Sequence, residues 1–188
     1  DAIPVAAALV LALQNIAARE IDPLQSVVVT IGTIEGGYRN NVIADEVRMT
    51  GTLRAFDPDV RDGLEARVRR IADGVAAAYG ATAEVRVARG YPPVCNDVAL
   101  AEGFTRYARE HGVAQVERRS PTMGAEDFAY FAQRVPAVQV RLGVRSEAAG
   151  AVHPGHSAQF RIDEAALPVG VRTLVAFAVA VGSGAIGG

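Results

Sequence analysis

Four side chains of this sequence are of types that bind carboxylates or metal ions, and they fall in two distant stretches. Asn41 and Arg54 lie just before and within a patterned strand, whereas Glu126 and His156 belong to the second half. A guanidinium gives bidentate, charge-assisted hydrogen bonds to a carboxylate, and a side-chain amide adds another donor. We therefore interpret Asn41 and Arg54 as a carboxylate clamp, His156 as a metal ligand and Glu126 as a pocket residue beside the metal.

Each of these residues also has an ordinary structural interpretation. Arg54 and Asn41 are of types common on exposed strand faces and in turns. Glu126 lies where a first helical turn is predicted, and an acidic residue there complements the helix dipole. A loop histidine is often only solvated, and His153, three residues before His156, is a competing candidate ligand. Spacing alone leaves these alternatives open.

The candidate metal site is incomplete in this sequence. A catalytic metal needs about three protein ligands and an open position, and one imidazole does not supply them. Cys95 is the single cysteine, which excludes an internal disulfide and a thiolate cluster and favours a reducing compartment such as the cytoplasm. We expect the remaining ligands to lie outside these residues, as if the chain were the back half of a metalloenzyme.

Composition excludes several classes of function. The net charge is -2 over 188 residues, which gives no electrostatic footprint for nucleic acid or an anionic membrane. All 19 basic residues are arginine, so Schiff-base and P-loop lysine chemistry is excluded. No uninterrupted apolar run reaches the roughly 18 residues of a membrane span, because Arg172 breaks the run from Val169 to Val181. We therefore expect no membrane span.

Residues 1–89 alternate helical and strand patterns and predict one domain. Apolar spacing predicts a first helix over 2–19, and an Asp-Pro pair at Asp57 begins a second that ends at Gly80. Between and after them, β-branched or alternating stretches predict strands at 27–31, 47–54 and 84–87. The order is helix, strand, strand, helix, strand, so one further strand would complete a ferredoxin-like split βαβ sandwich.

Residues 90–188 predict a second domain of mixed helices and strands, so the fold class is α/β, in the α+β arrangement. The run from Gly90 to Pro93 is the predicted linker. If Asp163 caps the last helix, Pro168 lies too deep in it for a proline, which is tolerated only in the first turn. The regular part of this helix is therefore expected to begin nearer Ala166. The predicted elements are helices at 97–111, 125–134 and about 164–182, with a short strand after Gly112 and another at 137–142.

An ordered set of motifs along the whole chain resembles the di-metal aminoacylase and carboxypeptidase family of amidohydrolases. The similarity is greatest to the branch of hippurate hydrolase and indoleacetyl-amino-acid hydrolase. Each motif is weak alone, and the set with its spacings carries the resemblance. The motifs include Asn41-Val42-Ile43, Gly51-Thr52-Leu53-Arg54, Gly90-Tyr91-Pro92-Pro93, Asn96-Asp97, Met123-Gly124-Ala125-Glu126-Asp127-Phe128, Leu142-Gly143 and His156-Ser157.

The resemblance implies an organisation and a set of roles. Residues 1–89 would be a lid, or dimerisation, domain lacking its first strand, and 90–188 the C-terminal part of a catalytic domain. His156 would be the last metal ligand, and Asn41 and Arg54 would hold the substrate carboxylate, in some relatives across a homodimer. Ala44 departs from the usual proline. The general-base glutamate and the other ligands lie upstream in relatives, so no catalytic base is expected in this segment.

The implied function is metal-dependent hydrolysis of N-acyl amino acids, hippurate-like substrates, to a carboxylic acid and an amino acid. The intact enzyme would use two divalent ions, whether zinc, manganese or cobalt, and we expect these residues alone to be inactive. The alternative is a non-catalytic module that dimerises or binds small acids. One imidazole suits several metals, so the sequence does not choose between the ions.

Overall fold

The structure is a computed structural model in which residues 1–186 are described. The chain divides into two compact units, Asp1–Pro93 and Val94–Gly188. Their junction falls at the end of the predicted linker. That the units correspond to a lid and to part of a catalytic domain stays a prediction.

Two helices of the first unit begin at aspartate caps. Helix α1 spans Ala2–Asn15 and continues as a π-helical turn over Ile16–Glu20. Helix α2 spans Pro58–Ala78, and the carboxylate of Asp57 accepts a hydrogen bond from the backbone N–H of Val60 at 2.9 Å. This bond satisfies one of the donors that a helix N-terminus leaves free. Both helices therefore follow the sequence prediction closely.

The strands of the first unit form one antiparallel hairpin. Strand β1 spans Val27–Gly36, longer than predicted, and pairs with β2 over Val47–Ala55. The register shifts between Ile31 and Thr33, which marks a β-bulge. Opposite this bulge a Cβ on Gly51 would collide with the carbonyl oxygen of Thr30. Only glycine therefore allows the two strands to approach this closely.

The core of the first unit lies where both helices pack on one side of the hairpin. Alternation along each strand sends every second side chain toward the helices, and the helices present an apolar stripe to them. The buried members are Leu13, Ile16, Ile21, Val29, Ala55, Val60 and Leu64.

The predicted strand at 84–87 does not join a sheet in the described residues. The sheet has two strands only, in the order β1–β2. Half-buried and exposed side chains still alternate from Ala83 to Ala88, so the periodicity was assigned correctly, whereas the ladder is absent. The ferredoxin-like sandwich is consequently not complete in this structure.

The second unit is built from helices and long segments without regular secondary structure. Helix α3 spans Val98–Glu110, α4 Phe128–Ala132 and α5 Leu167–Gly182, with a 3₁₀ turn over Glu164–Ala166. Helix α4 is shorter than the predicted 125–134. Pro168 falls in the first turn of α5, where its missing N–H has no intrahelical partner to lose. The predicted strands after Gly112 and at 137–142 have no regular secondary structure and form no ladder in the described residues.

A small cluster between α3 and α5 forms the core of the second unit. The rings of Phe104 and Phe177 meet edge to face with centroids 5.1 Å apart, a favoured aromatic geometry. Most of the apolar side chains of α5 remain outside this cluster. Its buried members are Phe104, Ala108, Val113, Ala180 and Ile186.

Two helical stretches are long and apolar enough to cross a membrane by length and composition, although each contains charged residues. They are Ala2–Glu20, with a mean hydropathy of 1.6, and Glu164–Gly182, with 1.8. Core helices of soluble proteins satisfy the same criterion, so this is weak evidence for a membrane. In the first unit α1 packs on the hairpin instead, because Leu13 is buried in its core.

Candidate functional site

His156 lies on a long loop that is closed at its base. The backbone N–H of Asp163 donates to the carbonyl of Val144 at 2.9 Å. Above this closure, Ser146 and Ala151 exchange two backbone hydrogen bonds of 3.1 and 2.8 Å. The loop is therefore anchored on a defined base, as binding loops commonly are.

The backbone of His156 is left-handed, with φ of 68°. It is the one non-glycine residue with positive φ in the described chain, and such a conformation is uncommon for side chains with a Cβ. Turn hydrogen bonds on either side hold it, from Ser157 N–H to the carbonyl of Pro154 at 3.3 Å and from Phe160 N–H to that of Ser157 at 3.0 Å. Strained residues cluster at functional sites, which supports a role for His156.

The described residues do not form a complete metal centre. They contain no group of three or more histidine, cysteine, aspartate or glutamate side chains able to hold an ion. His153 and His156 are both exposed, so the structure does not choose between them as a ligand. The full set of metal ligands therefore does not fit within these residues, and a single imidazole is at most one part of it.

Glu126 is half-buried at the start of α4. Its carboxylate accepts a long hydrogen bond, 3.5 Å, from the backbone N–H of Phe128. This contact belongs to the helix terminus, as the ordinary structural interpretation expected. No hydrogen bond or ion pair joins Glu126 to His156 in the part of the chain that the structure describes, and a pocket role for Glu126 stays a prediction.

Asn41 is exposed on the loop that joins β1 to β2. Gly37, with φ of 74°, starts this loop. Ala44 is buried, and its carbonyl accepts a 2.9 Å hydrogen bond from the N–H of Ala2. The loop is thus pinned to the N-terminus of α1 close to Asn41, and the side chain of Asn41 faces solvent.

Arg54 is half-buried near the end of β2, opposite Val28 in the register. Its neighbours Leu53 and Ala55 both belong to the helix-packed core. Arg54 makes contacts of its own within the chain. Of the four predicted site residues, Asn41 and Arg54 belong to the first unit, and Glu126 and His156 belong to the second.

Asn96 is a positioning residue whose contact the sequence analysis missed. Its side-chain amide donates to the carbonyl of Gln139 at 3.0 Å, and its oxygen accepts from the N–H of Gln139 at 2.8 Å. The side chain of Asn96 thus forms hydrogen bonds with both the N–H and the carbonyl of Gln139. Asp97 caps α3, which lies within the helix predicted at 97–111. The partner 43 positions away has no local signal.

An apolar groove of about 630 Å³ lies along α5 in the second unit. Arg172 lines it, and the Nε of this residue donates to the carbonyl of Val113 at 2.8 Å. None of the four predicted site residues lines this groove. Its remaining lining residues are Tyr107, Leu167, Pro168, Val171, Val175, Ala176 and Val179.

Comparison with known proteins shows that the chain is similar to deacetylases and to a carboxypeptidase. It is 40% identical over 181 residues to an N-acetyldiaminopimelate deacetylase of Leuconostoc citreum, covering 94% of this chain and 45% of the relative. It is 37% identical to an N-acetyl-L-cysteine deacetylase of Bacillus subtilis, covering 89% and 39%. A thermostable carboxypeptidase of Saccharolobus solfataricus is 36% identical, with 85% and 40% covered. The chain spans less than half the length of these relatives.

The family follows from a match that covers nearly the whole chain. Residues 4–180 match Peptidase family M20/M25/M40, and the chain belongs to this family. A solved structure, the YXEP protein of Bacillus subtilis, is a dinuclear metal binding peptidase of the M20 family. It superposes with a TM-score of 0.80 at 31% identity, over 96% of this chain and 46% of that one. The resemblance to the family is thereby confirmed, whereas the similarity to the hippurate hydrolase branch stays a prediction.

Proposed function

We propose that residues 1–188 serve an amidohydrolase that cleaves an N-acyl amino acid to a carboxylic acid and a free amino acid. One observation carries this: 94% of the chain aligns with an N-acetyldiaminopimelate deacetylase at 40% identity. The other relatives act on N-acetyl-L-cysteine or are carboxypeptidases by name. Their substrates share an amide whose nitrogen belongs to an amino acid, a class that includes the hippurate-like substrates expected from the sequence.

A free carboxylate beside the scissile amide is the feature that this chain would recognise. We propose that Arg54 forms the charge-assisted pair to it and that Asn41 adds an amide donor. The exposure of Asn41 leaves its amide available to a ligand. Such a clamp fixes the amide relative to the reacting groups and so contributes through orientation.

We propose His156 as one metal ligand of the complete enzyme, with His153 as the competing candidate. The strained backbone at position 156 supports this choice. The dinuclear relative favours two divalent ions, which supply Lewis-acid chemistry when bound. The described residues lack a three-ligand group, and we propose that the other ligands and the general base come from outside them. Zinc, manganese and cobalt remain alternatives.

The second candidate is a non-catalytic module that dimerises through the first unit or binds small acids. The absence of a three-ligand group in the described part of the chain favours it. Dimerisation and a cytoplasmic location are part of our proposal for the intact protein. The two candidates differ in whether any arrangement containing these residues turns over an amide.

A hybrid protein separates the two candidates. Residues 1–188 would replace the matched span of the Leuconostoc deacetylase, and hydrolysis of hippurate and of N-acetyldiaminopimelate would be measured with zinc, manganese or cobalt added. We expect the hybrid to hydrolyse at least one substrate and the 188-residue chain alone to bind less than one equivalent of metal without turnover. A folded, metal-loaded hybrid without activity would leave the module as the better proposal.

Replacing Arg54 by alanine in the hybrid tests the clamp. Loss of a charge-assisted hydrogen bond in a binding site is worth about 1.5–3 kcal/mol, or roughly 10- to 150-fold. We expect KM for hippurate to rise by that factor and KM for its uncharged amide to stay the same. Arg48→Ala is the matched control, because Arg48 lies on the same strand and is exposed. Equal increases for both substrates would remove the carboxylate role of Arg54.

A further inference from the structure

The chain reverses sharply after α5. Gly184 has φ of 72°, a left-handed conformation that glycine adopts without a steric penalty. Its N–H donates to the carbonyl of Val181 at 3.0 Å, and the N–H of Ala185 donates to the carbonyl of Ala180 at 2.9 Å. These two hydrogen bonds form a Schellman motif, which ends a helix and turns the chain back. Residues 183–186, called the strap below, therefore have a defined conformation.

The strap carries Ile186 into the core of the second unit. Ile186 is 6% exposed and packs in the same cluster as Phe104 and Ala180. Its N–H donates to the carbonyl of Ala180 at 3.2 Å, and the hydroxyl of Ser183 donates to this carbonyl at 3.3 Å. Because apolar burial is the dominant stabilising term in folding, this one side chain contributes to holding the cluster closed.

Gly103 of α3 provides the space that Ile186 fills. It is a buried glycine inside the helix, where glycine is less favourable than alanine. The atoms nearest to a Cβ at this position would be Cγ2 and Cβ of Ile186, at 3.2 and 3.3 Å. Carbon atoms prefer separations of about 3.5–4.0 Å, so an alanine here would push Ile186 outward. The close approach of the strap explains the glycine.

We propose that the strap is a conformational latch. Ile186, seated in the notch that Gly103 leaves, locks α3 against α5, and release of Ile186 opens this part of the core by local unfolding. A second connection between the two helices does not involve the strap, since Arg172 Nε donates to the carbonyl of Val113 after α3 at 2.8 Å. Release of the latch therefore loosens α3 around Gly103 while this second connection remains.

Truncation of Ile186 tests the latch in the 188-residue chain. Ile186→Ala removes most of the side chain that fills the notch, so we expect the helical amides of Phe104 and Ala108 to exchange at least about tenfold faster. Ile186→Val is the matched control, because it keeps a branched side chain, and it should give a smaller increase. NMR measures each amide, with β1 and β2 as the internal reference. Unchanged exchange at Phe104 and Ala108, or an equal change in β1 and β2, would overturn the latch.

Gly103→Ala tests the notch from the opposite side of the contact. The added methyl group meets Ile186, so we expect the strap to be held less tightly. The amide of Ile186, which is hydrogen-bonded to Ala180, should exchange at least about threefold faster. A passive strap that merely covers a closed core would leave this amide unchanged, and that result would contradict the proposal.

The same substitution should act differently when Ile186 is replaced. In an Ile186→Gly background both contacting atoms are gone, so Gly103→Ala should raise the melting temperature of its unit by about 4 °C, the ordinary gain for a helix glycine. Gly74→Ala in α2 is the control for that gain in both backgrounds, because its Cβ would meet nothing within 4 Å. With Ile186 present, Gly103→Ala should lose this gain. An equal increase in both backgrounds would overturn the role of the notch.

Discussion

The two units bury their helices to different degrees. In the first, Leu64 of α2 is 1% exposed in a core that joins two helices to the hairpin, whereas Leu174 of α5 in the second is 66% exposed. Both residues are leucines inside long helices, of 21 and 16 residues. Helix α2 is therefore covered by α1 and the hairpin, whereas most apolar side chains of α5 are exposed in the described residues.

The same contrast appears in the backbone. The first unit pairs nine residues of β2 with β1. Residues 82–89, which follow α2, make no backbone–backbone hydrogen bond within the described chain. The second unit has two predicted strands, after Gly112 and at 137–142, that form no ladder among the described residues. A two-stranded sheet under two helices meets more of the usual requirements for independent stability than unpaired strands do. The first unit should therefore be the more stable.

Amide exchange gives the largest expected difference between the units. We expect the hydrogen-bonded amides of β1 and β2 to exchange at least about a hundredfold more slowly than those of residues 137–142, since exchange follows local opening. Mass spectrometry of peptic peptides would measure both regions in one sample. Equal protection would show that the second unit forms strand pairs that the structure lacks.

Truncation of the two leucines tests the comparison through stability. We expect Leu64→Ala to lower the free energy of unfolding by about 3 kcal/mol, because the side chain fills a closed core. The control Leu174→Ala should change it by less than about 0.5 kcal/mol, as for other exposed positions. Urea denaturation followed by circular dichroism measures both. A large loss from Leu174→Ala would mean that α5 is covered in solution.

Asn96 ties together parts of the second unit that otherwise lack a ladder. Asn96→Ala removes both hydrogen bonds to Gln139 and should destabilise that unit by about 1 kcal/mol, since the site is exposed and water replaces part of the loss. Asn96→Asp keeps the acceptor for the N–H of Gln139 and should lose less. A thermal melt of each variant measures the difference, and identical losses would make the reciprocal pair unimportant.

Local signals explain which parts of the fold were predictable. The caps at Asp57 and Asp97, the glycine stop at Gly80 and the proline near the start of α5 act within a few residues, and the structure has each of them. Strand β1 continues past the bulge to Gly36, whereas the sequence predicted its end at Ile31. Strand ends are hard to predict because they depend on the partner strand as well as on the strand's own sequence. Strand pairing is nonlocal, so the alternating pattern at 84–87 did not reveal that this segment would have no ladder in the described residues.

The sequence proposed the candidate site as residue types and not as geometry. The family motifs named Asn41, Arg54 and His156, and their roles stay predictions, as does the expectation that the other metal ligands lie outside these residues. The sequence did not indicate the left-handed backbone at His156, since histidine adopts this conformation more often than most residues but still only in a minority of cases. Nor did it indicate the partner of Asn96, which depends on tertiary packing.

The smallest expected effect concerns the contact between Glu84 and Arg86, which lie after α2 in the first unit. The hydrogen bond from Arg86, and then its positive charge, hold the pKa of Glu84 below its ordinary value. We expect Arg86→Gln to raise the pKa of Glu84 toward that value, measured by NMR titration of its carboxyl carbon, with Arg89→Gln as control. A lowered folded-state pKa contributes stability above the unfolded pKa, and that contribution is lost as the pH falls through the folded one. An unchanged pKa for Glu84 would indicate that Arg86 does not contact it in solution.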